Sequence, residues 1–86
     1  MNITISHEAI VQNVIDEYLA LLKKHQGGLY KDFAMSLFQD ALMTVALETK
    51  SVHGDEAWTP EIVNESNRRA CQIDIFHPHF AIKGSN

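Results

Sequence analysis

Residues 29–49, LYKDFAMSLFQDALMTVALET, limit the possible folds more than any other stretch. Placed on a helix, Tyr30, Phe33, Ala34, Leu37, Ala41 and Val45 fall on one face, and Met35, Phe38, Leu42 and Ala46 cover the adjoining one. The polar strip, made of Asp32, Ser36, Gln39 and Asp40, is narrow, and Met43 and Leu47 intrude on it. A surface helix buries a stripe of a little over ~100°, and this one is nearly twice as wide, as expected of a central or interface helix. No Pro or Gly interrupts it, and Ala, Leu and Met are strong helix formers.

The preceding segment reads as a helix from Ser6, its N-cap, to about residue 26. Ile10, Val11, Val14, Ile15, Tyr18, Leu19, Leu21 and Leu22 share one half of it, while Gln12, Asn13, Asp16, Glu17, Lys23 and Lys24 occupy the other. Gly27-Gly28 stops this helix and leaves room only for a tight reversal, so the two helices form an αα-hairpin. The first helix covers one half-face of the second. The uncovered arc, Met35, Phe38, Leu42 and Ala46, is the expected interface with a second copy or another protein.

Residues 50–58 read as a polar loop containing Gly54. Thr59-Pro60-Glu61 is the most specific local signal. Thr is a favoured N-cap, Pro is pre-set for the first helical position, and Glu suits the helix dipole there. The third helix runs from Pro60 to residue 71 or 73, with Ile62, Val63, Ala70, Ile73 and Ser66 on one face and a Glu65–Arg69 pair outside.

From residue 72 the pattern alternates, and Pro78 confines the segment to an edge strand or an extended arm. Phe76 and Phe80 are the candidate partner-binding residues of that arm. The fold class is mainly α: a helical hairpin, a third short helix and an extended C-terminal arm. The alternative is α+β, with Ile3-Ile5 and Ile73-Ile75 paired as a two-stranded ribbon. Eighty-six residues make one domain, 1–86, with 1–5 and 81–86 as candidate disordered ends.

Charge and composition exclude several functions. The net charge is −4 and the bases are scattered, with only Lys23-Lys24 and Arg68-Arg69 adjacent, which argues against a nucleic-acid surface. The single Cys71 rules out an internal disulfide and fits a reducing compartment. The chain lacks the pattern of a signal peptide and any apolar run of membrane-spanning length, so a soluble, cytoplasmic protein is expected.

Few residues suggest chemistry. His7 and His25 lie at opposite ends of the first helix, ~27 Å apart, and cannot share a metal. His77 and His79, two apart, are the candidate metal ligands, with His53 and Cys71 as remoter partners, but no CxxC, HxxxH or HExxH is present. No nucleophile–base–oxyanion pattern and no Gly-rich phosphate loop appears, so neither catalytic residues nor a cofactor are expected.

Tyr18-Leu19-Ala20 in the first helix, Leu29-Tyr30 opening the second, and Gln39, Leu42, Val45, Thr49 and Lys50 follow a spacing that resembles the dimerisation core of the Fis family of nucleoid proteins. That resemblance implies intertwined helices and an obligate dimer. It does not extend to DNA reading, because residues 51–80 are acidic to neutral, hold Pro60 and Pro78, and lack a basic recognition helix. The expected function is a non-catalytic protein-binding module, a regulator, adaptor, inhibitor or chaperone, acting as a homodimer through its apolar helical surface. The alternatives are a DNA-binding regulator with a Fis-like dimer core and a small metal-binding protein using His77 and His79.

Overall fold

The computed structural model describes residues 5–80 and is mainly helical: α1 (His7–Lys24), α2 (Lys31–His53), a 3-10 turn at Asp55–Ala57, and α3 (Pro60–Cys71). The hairpin and the third helix are as the sequence patterning predicts. The expectations placed on residues 1–4 and 81–86 lie outside the described residues; Ile5 is half-buried against the core.

α1 begins where Ser6 caps it, the Ala9 N–H donating to Ser6 Oγ at 3.1 Å. It ends at Lys24, two residues before the expected boundary, and Gly27 takes the left-handed conformation, φ 97°, that the reversal needs. α2 runs further than the sequence suggests. Lys50, Ser51 and Val52 contain nothing that breaks a helix, so it continues to His53 and stops only at Gly54, φ 89°. The expected loop is therefore a last helical turn followed by the 3-10 turn.

The principal correction concerns which helix is central. α1 packs against both α2 and α3, while α2 and α3 do not pack face to face. Ile10, Val11, Val14, Ile15, Tyr18 and Leu22 of α1 are all buried. α2 buries Ala34, Leu37, Phe38, Ala41, Val45 and Thr49, an arc of about 120° and no wider than that of an ordinary surface helix. Phe33 and Leu42 are partly buried against the same core, while Met35, Met43 and Leu47 face outward.

α3 presents Ile62, Ser66 and Ala70, one residue every helical turn, and the small side chains at 66 and 70 let it lie close against α1. Thr59 occupies the N-cap position as expected, but its hydroxyl bonds His7 Nε2 at 3.0 Å and makes no capping bond to the backbone of its own helix. The Glu65–Arg69 pair forms at 2.8 Å. Arg69 also grips Glu8 of α1 with two nitrogens, at 2.6 and 2.9 Å, and fastens the third helix to the first.

After α3 the chain forms turns. Phe76 N–H donates to Asp74 Oδ1 at 3.0 Å, His77 N–H to the Asp74 carbonyl at 3.1 Å, and Phe80 N–H to the His77 carbonyl at 3.0 Å. The side chain of Gln26 donates to the Pro78 carbonyl at 3.0 Å and holds this segment beside the hairpin turn. Among the described residues there is no strand and only an isolated bridge residue at Ile73, so the two-stranded ribbon is not supported; its Ile3 lies outside them. Asp74 and Pro78, both turn formers, override the short apolar alternation.

Candidate binding groove

Because α2 and α3 both rest on α1 without covering each other, a groove of about 450 Å³ opens between them. Tyr18 of α1 contributes to its floor. Ala34, Met35 and Phe38 form the α2 wall, and Ala70 and Cys71 the opposite wall. Residues 73–76 close one end, and Lys31, Asn67 and Asp74 supply its polar groups. The Phe38 ring meets Tyr18 edge-on, centroids 5.3 Å apart. Burial pushes the Tyr18 hydroxyl's pKa up, with nearby Cys71 adding to the effect, so this group remains a neutral phenol.

The four residues read as an interface divide. Phe38 is buried at the edge of α2's inward arc, edge-on against Tyr18, and it belongs to the core. Met35 is 58% exposed at the lip of the groove, and Leu42 and Ala46 are half-buried further along the same flank. The two arm residues divide as well. Phe80 is buried and holds φ at 50°, an uncommon left-handed backbone kept in place by its packed ring, whereas Phe76 is 73% exposed beside the groove.

His77 and His79 are neighbours, ring centroids 5.9 Å apart, and His79 N–H donates to His77 Nδ1 at 3.1 Å. Among the described residues no group of three or more His, Cys, Asp or Glu side chains converges as metal ligands would. His25 packs edge-on against Phe33, centroids 4.9 Å apart, and Phe33 stacks on Tyr30 at the hairpin turn. Among the described residues no helix is long and apolar enough to cross a membrane.

Sequence reasoning missed the groove itself. Met35 and Phe76 stand out as apolar in the sequence, but no periodicity indicates that α3 would pack beside α1 and leave α2 uncovered. Comparison with protein-family models, curated proteins and solved structures finds no match to the chain, so the Fis resemblance rests on the quoted residues alone.

Proposed function

We propose that the protein is a non-catalytic protein-binding module, a small cytoplasmic regulator, adaptor, inhibitor or chaperone, whose groove receives apolar side chains from an amphipathic helix of another protein. The observation that carries this reading is the groove bounded by Phe38, Ala70 and Ile73 with exposed Met35 and Phe76 at its margin. Concave apolar surfaces of this size with a few polar groups are the usual form of a docking site. An amphipathic helix laid in such a groove presents anchors at successive turns. A methionine at the lip suits partners of differing shape, because its side chain repacks readily. The solitary, exposed Cys71 supports a reducing compartment.

The test is capture from the native host followed by amide-shift mapping. Cys71 is exposed and lines the groove, so Cys71→Trp fills the groove without disturbing the core. The expected result is a protein retained by the wild type, lost with Cys71→Trp, and perturbing amides of residues 67–76. Capture indifferent to Cys71→Trp, or no capture by the wild type, overturns the reading.

A further inference from the structure

The side of α2 turned away from α1 carries an arrangement that shares only Met35 with the groove. Met43 is 64% exposed and Leu47 66%, with half-buried Ala46 beside them. Exposed Asp32 and Lys50 bracket this patch, and their separation is about five whole helical turns, ~27 Å along the axis. Both therefore project from one line of the helix, an acid at one end and a base at the other, with Gln39 and Met43 between them close to the same line.

We infer that this face is a two-fold interface with a second copy of the chain, α2 lying antiparallel against α2, with the axis at the level of Ala41. In that register Asp32 of each copy faces Lys50 of the other, so one ion pair closes each end of the contact. Met35 lies over Ala46 of the second copy and Leu47 over Ser36, large against small, while the two Met43 side chains meet near the axis beside Gln39. Asp40 falls at the solvated edge of the seam. A parallel pairing would set Asp32 against Asp32 and Lys50 against Lys50, and the like charges select the antiparallel one. A surface that matches itself under a two-fold rotation is what a closed dimer requires. This face differs from the expected one: it centres on Met43, not on Phe38, and it adjoins the groove only at Met35. The contact is small. One helix about 34 Å long offers less than the ~800 Å² per partner of a standard interface, so the dimer is weak, with dissociation in the micromolar range or above.

Sedimentation velocity from about 10 µM to about 1 mM tests this. Asp32→Lys and Lys50→Asp each weaken association at least about tenfold, and the double exchange restores it to within about threefold, because the pairs re-form with their signs swapped. Circular dichroism checks that the helices persist. Should the double variant lose helix content, the Gln39→Cys variant in a Cys71→Ser background decides: a short thiol cross-linker joins two copies across the axis if the interface is right, and its failure to do so overturns the inference. A wild type that is monomeric throughout, or association indifferent to both single reversals, overturns it too. So does a folded double variant that associates no better than the single ones. Cys71→Trp leaves association unchanged, so failure of the groove reading and failure of this one are separable.

Discussion

Ser66 is sealed between α3 and the core with no exposed surface, and its Oγ has no hydrogen-bond partner among the described residues. A hydroxyl in a helix interior ordinarily bonds the carbonyl one turn back or finds water. An unsatisfied buried polar group costs ~1–3 kcal/mol, and alanine keeps the small volume that the close helix packing needs. Ser66→Ala is therefore expected to leave stability unchanged or raise it by about 1 kcal/mol in urea unfolding. Phe38 poses the opposite case. Buried edge-on against Tyr18, it should cost ~3–5 kcal/mol when truncated to Ala. Phe38→Asp places a charge where water cannot follow, so loss of helical circular dichroism is expected, not a folded chain that merely fails to associate. The exposed position 43 should accept Asp with its helix content intact.

At the scale of elements, the joint between α1 and α3 depends on charges as well as on packing. Hydrogen bonds from Arg68 and then Arg69 hold the Glu65 carboxyl down to about 2 from an ordinary 4.5. Glu8 is also held below 4.5, mainly by its hydrogen bond to Arg69. Both carboxyls bind protons less readily folded than unfolded, so their stabilisation is present above the unfolded value and is lost as pH falls through the folded one. Thermal midpoints should thus decline as pH drops from about 4.5 to about 2. Arg69→Gln should lower the midpoint at neutral pH and flatten that decline, with the two proteins converging near the acid end. All four side chains reach solvent, so added salt should shrink the difference between them. A decline identical in both proteins would show that the network does not couple to folding.

For the whole molecule, what could be read in the sequence separates along physical lines. Caps, glycine stops and apolar periodicity act within a turn or two of the residues that carry them. Ser6, Gly27 and Pro60 accordingly mark the helix ends, and Ile10 through Leu22 mark the buried face of α1. The hairpin follows from the same local information, because Gly27-Gly28 halts α1 and the short connection of residues 25–30 allows little but a reversal. Boundaries blurred where signals were weak. α2 ran on through residues 50–53 because no residue there opposes a helix, and residues 75–79 became turns because Asp74 and Pro78 outweigh a short alternation of isoleucines. Which helix covers which was not local at all. The width of α2's apolar surface showed that something must cover it, or that part of it stays bare, but not which part. That was decided by α3 docking on α1 through Ile62, Ser66 and Ala70, by Arg69 reaching Glu8, and by Tyr18 packing edge-on against Phe38. These contacts join residues far apart in the chain, and their geometry exists only once the helices have packed. The sequence alone determined the helices and their inward faces, because local backbone and side-chain preferences suffice for that. Only the tertiary structure decided that α1 lies at the centre, that a groove opens beside it, and that the far side of α2 is left bare.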